Sequence, residues 1–156
     1  MNIALRSVYL VTETIKNELL SNPSVNTVTF GDITDIDLSK QTIFPLAHIM
    51  INSVTNRVNV LNYNISVFVM DIVDVSKSET TDIFEGNDNE QDVLNTQLSV
   101  INKLVTKLRG GDLYRDKYQL DADVTFEPFV ERFENNLAGY VGTMDILIPN
   151  DIDICV

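Results

Sequence analysis

Between residues 46 and 73 the chain alternates apolar and polar side chains at a period of two, a pattern that extended strands satisfy and helices do not. In residues 46–54, Ala47, Ile49 and Ile51 share one face. In residues 58–73, Leu61, Tyr63, Ile65, Val67 and Val69 share one face, while Asn62, Asn64 and Ser66 share the other. The link through Thr55, Asn56 and Arg57 is short enough for a hairpin, so two long antiparallel strands are expected. At Phe68, Met70 and Ile72 the second face also becomes apolar. That end of the strand is expected to be covered on both sides, by the fold or by a neighbour, which makes these three residues candidates for a subunit interface.

The rest of the chain supplies partners for that hairpin. In residues 2–20, Leu5, Val8, Thr12, Ile15 and Leu19 fall at helical spacing, and Ser21-Asn22-Pro23 ends the segment. Residues 25–30 are a β-branched run ending at Gly31, read as a short strand followed by a loop. A second helix is expected around Leu94, Leu98, Ile101, Leu104, Val105 and Leu108, started by a capping-box-like Asp88 and Gln91 and stopped by Gly110-Gly111. Two more strands follow: residues 120–132, with Ala122, Val124 and Phe126 on one face, and residues 139–148, with Tyr140, Gly142, Met144, Ile146 and Ile148 on one face. Asn135-Asn136 is the expected turn between them, and Pro128 marks a bulge or an edge. The expected fold is therefore α+β, a mainly antiparallel sheet with a long hairpin and two helices packed on one face. Residues 1–156 are read as a single domain, with a flexible acidic loop at about 74–89 and a C-terminal tail at 149–156.

Charge narrows the function. The 156 residues carry 11 Lys and Arg against 23 Asp and Glu, a formal net charge of −12. Phosphate capture depends on clustered cations, so tight nucleic-acid binding is not expected, and neither is adhesion to an anionic membrane. Arg6, Glu13, Lys16 and Glu18 interrupt the first helix, which excludes a secretory h-region or a spanning segment there. Cys155 is the only cysteine, so no internal disulfide forms and a reducing site of folding is expected.

Catalytic chemistry finds few footholds. His48 is the only histidine, has no second imidazole for a metal site, and reads as a surface or interface residue on the face opposite Ile49 and Ile51. A Cys155/His48 nucleophile pair lacks any turn signature around the cysteine. Two acidic loops, one with Asp32, Asp35 and Asp37 and one with Asp82, Glu85 and Asp88, offer oxygen ligands, yet neither follows the spaced calcium-loop pattern. Both are read as solvated charge, with Asp82, Glu85 and Asp88 retained as a candidate partner-docking element. Gly110-Gly111 follows a helix instead of preceding one and so forms no phosphate cradle. Phe126, Phe129, Phe133 and Tyr140 are expected in a core or an interface. No catalytic residue, metal or cofactor is assigned.

The element order and the ending Met144-Asp145-Ile146-Leu147-Ile148-Pro149-Asn150-Asp151 resemble those of ring-forming neck and tail proteins of tailed bacteriophages. The likeness is greatest to crAss-like phage neck proteins, which are similar in architecture to tail terminators and head–tail connector proteins. The resemblance covers most of the chain and rests on loose motifs: an N-terminal helix, a long hairpin, a second helix, and a final strand running into a polar Pro-Asn-Asp segment. It implies a tail-terminator-like fold and a non-enzymatic virion structural protein, made in the host cytoplasm and built into the neck or tail. It also implies partners: copies of itself in a ring, other neck, portal or tail proteins, and double-stranded DNA passing through the lumen without specific binding. Acidic subunits lining that lumen would disfavour sticking. The acidic loop at 74–89 is not fixed by the family pattern. A soluble adaptor or chaperone-like binding module is the alternative, and a metal-dependent hydrolase using Asp35 or Asp37 ranks third.

Overall fold

The computed structural model describes residues 6–33, 43–73, 90–110, 119–121, 123–130 and 137–150. In chain order the elements are α1 (Ser7–Leu20), β1 (Thr27–Phe30), β2 (Leu46–Arg57), β3 (Val60–Ile72), α2 (Glu90–Gly110), β4 (Gln119–Asp121), β5 (Phe126–Val130) and β6 (Leu137–Pro149). The strands form one six-stranded sheet in the order β1-β2-β3-β6-β4, with β5 also paired to β6. Every pairing is antiparallel except β1 with β2. The expected α+β class and mainly antiparallel sheet are found.

The hairpin is longer than its sequence suggested. Thr55, Asn56 and Arg57 are not the connection but part of β2, pairing with Asn62, Leu61 and Val60. The turn is Val58-Asn59, with Asn59 at φ 68. Asparagine is among the few residues that occupy this left-handed region at low cost, so it closes the loop while Val58, 88% exposed, projects from the tip. One bulge, at Asn52, interrupts the register between Ile51 and Ser53.

Alternation along β3 gives the sheet two different faces. Tyr63, Ile65, Val67 and Val69 share a face with Ala47 and Ile49 of β2 and with Met144, Ile146 and Ile148 of β6. Both helices cover it: Val11, Ile15 and Leu19 of α1 and Val100, Ile101, Leu104, Val105 and Leu108 of α2 join the same core. Each fully buried branched side chain there contributes about 1.5–3 kcal/mol. Lys107 Nζ of α2 lies 2.8 Å from Glu18 Oε1 of α1 and ties the helices side by side.

The helix stripes differ from expectation in detail. In α1 the buried line is Ser7, Val11, Ile15 and Leu19. Val8, assigned inward from its spacing, is exposed, and Leu5 lies outside the described residues. Buried Ser7 hydrogen-bonds through Oγ with the hydroxyl of buried Tyr63, which turns the 7-11-15-19 line toward the sheet. In α2, Val93, Gln97 and Val100 are buried, whereas Leu98 is 38% exposed. Glu90 and Asp92 in its first turn and Lys107 and Arg109 in its last complement the helix dipole. The helix runs through Gly110; Asp88 and Gly111, its expected cap and stop residues, lie outside the described residues.

The second face is divided. Toward the hairpin tip it is polar: Asn52 Nδ2 donates to Asn64 Oδ1 at 2.9 Å and to Ser66 Oγ at 2.8 Å, Asn64 Nδ2 donates to Asp145 Oδ1 at 3.0 Å, and Ser66 and Thr143 hydroxyls bond at 3.0 Å. At the opposite end Met70, Leu46, Leu137, Phe44 and Phe129 form a second apolar cluster. The expected strand at 120–132 is two short strands, β4 and β5, both on the outer side of β6. Pro128 lies on β5, whose one strand partner among the described residues is β6, the kind of position where a missing N–H is tolerated. The turn at Asn135-Asn136 and the segment at 74–89 fall outside the described residues.

Candidate interaction surface

The apolar end of β3 is completed by the chain itself. Met70 is 0% exposed, packed with Phe44, Leu46, Phe129 and Leu137, so it presents nothing to a neighbour. Phe68 and Ile72 are half-buried at the margin of the same cluster. Asp82, Glu85 and Asp88 lie outside the described residues, as do Asp35, Asp37, Phe133 and Cys155. Among the described residues no group of three or more His, Cys, Asp or Glu could hold a metal, and no helix is long and apolar enough to cross a membrane. Of the remaining aromatics, Phe129 is buried and Phe126 and Tyr140 pack against the main core.

His48 is neither a surface nor an interface residue. It is 0% exposed. Parallel pairing of β1 with β2 sets Thr29 beside His48, and the Thr29 hydroxyl meets His48 Nδ1 at 2.7 Å while His48 Nε2 meets the Gly31 carbonyl at 2.8 Å. A neutral ring satisfies both contacts, with Nε2–H donating to Gly31 and Nδ1 accepting from Thr29. The Phe68 ring lies 6.1 Å away, centroid to centroid. Desolvation lowers the His48 pKa, opposed by the Gly31 hydrogen bond and the negative charge of Asp32. The residue locks the β1–β2 edge.

That lock shapes an open surface beside it. β1 begins where Asn26 N and Thr27 N donate to the Pro45 carbonyl at 2.9 and 3.2 Å. It ends where Gly31 N donates to Ile49 O at 3.1 Å, with Gly31 at φ +119, a conformation suited to glycine. Its other edge has no strand neighbour among the described residues. Val28 turns inward to the main core, but Phe30 at the strand end is 54% exposed. Above it on α1, Tyr9 falls off the buried 7-11-15-19 line and is 68% exposed.

Between the helix and the strand lies an open groove of about 360 Å³, lined by Arg6 at the N-cap of α1, by Tyr9, Glu13 and Lys16 from α1 and by Val28 and Phe30 from β1. Two cations and one anion border two exposed aromatic rings in a chain whose overall charge is −12. The Thr12 hydroxyl is turned back onto its own helix, donating to Val8 O at 2.8 Å. Thr29 of β1 also lines the groove, its hydroxyl engaged by the buried His48 Nδ1 at 2.7 Å. The groove's chemistry is that of contact: aromatic area, a strand edge and a local excess of positive charge.

Tyr9 and Phe30 were not singled out by the sequence reading. The available signal was that Tyr9 lies off the i, i+4 line that Val11, Ile15 and Leu19 define. In comparison with known proteins, the sequence matches no protein-family model and no curated protein.

Proposed function

We propose that this protein is a structural ring subunit of a bacteriophage neck or tail, tail-terminator-like in fold, assembling around a channel through which DNA passes. The observation that carries the reading is the outer edge of β1, without a strand neighbour among the described residues and flanked by exposed Tyr9 and Phe30. Unpaired strand edges and exposed aromatic rings are costly in a protein that stays alone, and natural folds blunt or cover them. The hairpin gives a second projecting feature, with residues 52–59 exposed and Val54 and Val58 apolar at its end. A heterologous contact between one such surface and a different one on the next copy closes into a ring when its rotation divides a full turn. A net charge of −12 per subunit, repeated around a lumen, keeps DNA phosphates from adhering.

The test is assembly of the purified full chain. Native mass spectrometry and negative-stain imaging are expected to give closed rings of one copy number, or rings that form on mixing with neck or portal proteins. A chain that stays monomeric alone and with every virion component, yet binds some other protein, would make it an adaptor instead.

A further inference from the structure

Opposite the β1 groove, on the far flank of the helix layer, a second groove of about 430 Å³ is lined by Asp92, Leu94, Asn95 and Leu98 of α2 and Tyr140 of β6. Its position follows from helix geometry. Lys107 points toward α1, where it meets Glu18. Leu98 is two and a half turns earlier at about 3.6 residues per turn, and therefore points the opposite way. The two grooves face outward in opposite directions and cannot meet within one molecule.

Their chemistry is complementary. The α1 side carries exposed Arg6 and Lys16 against one carboxylate, Glu13, a net positive charge beside Tyr9 and Phe30. The α2 side carries exposed Asp92, with Glu90 at the same helix end, beside exposed Leu98. Cations are the minority charge in this chain, 11 against 23, so a patch with two of them is the less common half of the pair. Resting on the ring reading above, we infer that the α1–β1 groove of one copy receives the outward flank of α2 from the next copy. Leu98 packs on Tyr9 and Phe30, and Asp92 and Glu90 face Arg6 and Lys16. Because each copy carries both halves on opposite flanks, the contact is heterologous and repeats around the ring. Charge steers the two flanks together and fixes their register, while the aromatic and aliphatic contact supplies most of the holding.

The experiment uses the full chain in three forms: wild type, a groove variant with Tyr9→Glu and Phe30→Glu, and a flank variant with Leu98→Glu. All three positions are exposed, so circular dichroism and melting should match wild type. Native mass spectrometry and analytical ultracentrifugation are expected to show wild-type rings, with each variant alone weakened in association by about thirtyfold or more and running as monomer. An equimolar mixture of the two variants is expected to stop at a heterodimer, since one intact groove and one intact flank remain. A charge exchange, Lys16→Glu with Asp92→Lys, is expected to restore assembly that either change alone weakens. Rings formed by both variants as readily as by wild type would overturn the interface and leave the ring reading standing. A mixture that forms no heterodimer would overturn the pairing of these two surfaces. A wild-type chain that never associates, alone or with virion components, would overturn the ring reading itself.

Discussion

His48 Nε2 and the Gly31 carbonyl lie 2.8 Å apart, joining the buried first part of β2 to the point where β1 ends. Burial holds this imidazole below the usual histidine range. In the unfolded chain it takes up a proton near its ordinary pKa of about 6.5; in the folded chain it resists until lower pH. Between those two points the unfolded state binds more protons, so stability falls as pH is lowered, with a slope of up to about 1.4 kcal/mol per pH unit. Stability is fully present above about pH 6.5 and declines through the folded pKa. Denaturant melts at pH 7.5, 6.5 and 5.5 should show the decline, and His48→Gln should flatten it while lowering stability at pH 7.5. A wild-type profile already flat over that range would contradict the account.

Asp71 works in the other direction. Its carboxyl is pushed up by burial, against the pull of the Ile72 amide 2.8 Å away. The folded state therefore holds this proton to higher pH than the unfolded chain, whose carboxyl titrates near 3.9. The contribution is fully present below that value and lost as pH rises through the folded pKa. Asp71→Asn, which keeps an acceptor oxygen for Ile72, should stabilise the protein at pH 7 and lose that advantage in acid.

Gly139 and Gly142 on β6 make different demands. A Cβ at Gly139 would overlap the Val69 carbonyl oxygen, a backbone atom with little room to move, so Gly139→Ala should be strongly destabilising. At Gly142 the obstacles are side chains, Ile101 Cδ1 at 2.9 Å and the Phe126 ring at 3.1 Å. Gly142→Ala should cost about 1–3 kcal/mol, and Phe126→Leu in that background should recover part of it. Paired thermal melts decide both.

Asn64 bridges the polar face, accepting from Asn52 and donating to Asp145. Asn64→Ala removes both contacts, at about 0.5–1.5 kcal/mol each. Asn64→Asp sets a second carboxylate against Asp145 and should be worse than alanine at pH 7.

The hairpin strands and β6 were legible because a period of two over many residues admits one reading, and the faces assigned to Tyr63, Ile65, Val67, Met144 and Ile146 are those found. The turn was not, since Thr55-Asn56-Arg57 has the composition of a loop and Val58 does not; what decides it is the positive φ of Asn59, a property of one residue. Val8 and Val11 are interchangeable by type, and only Ser7 meeting Tyr63 across the core distinguishes them. His48 read as exposed because a lone polar residue in a strand usually is, and its partners Thr29 and Gly31 come from a parallel pairing too short to announce itself. The open groove depended on where α1 stands over β1, which neither segment encodes alone. Of the candidate interface residues, Met70 proved internal because Phe44 and Phe129, remote in sequence, close over it.

β3 pairs along its length with β2 on one side and β6 on the other, from Val60 with Pro149 to Ile72 with Leu137. The first partner precedes it directly; the second is made only after α2, β4 and β5. At ribosomal speeds of about 5–20 residues per second, the hairpin exists for seconds with one flank bare. During synthesis the nascent chain thus offers a long, apolar, adhesive margin to any other nascent chain nearby, and crowded translation of this protein is the circumstance in which mispairing between copies competes with completion of the sheet.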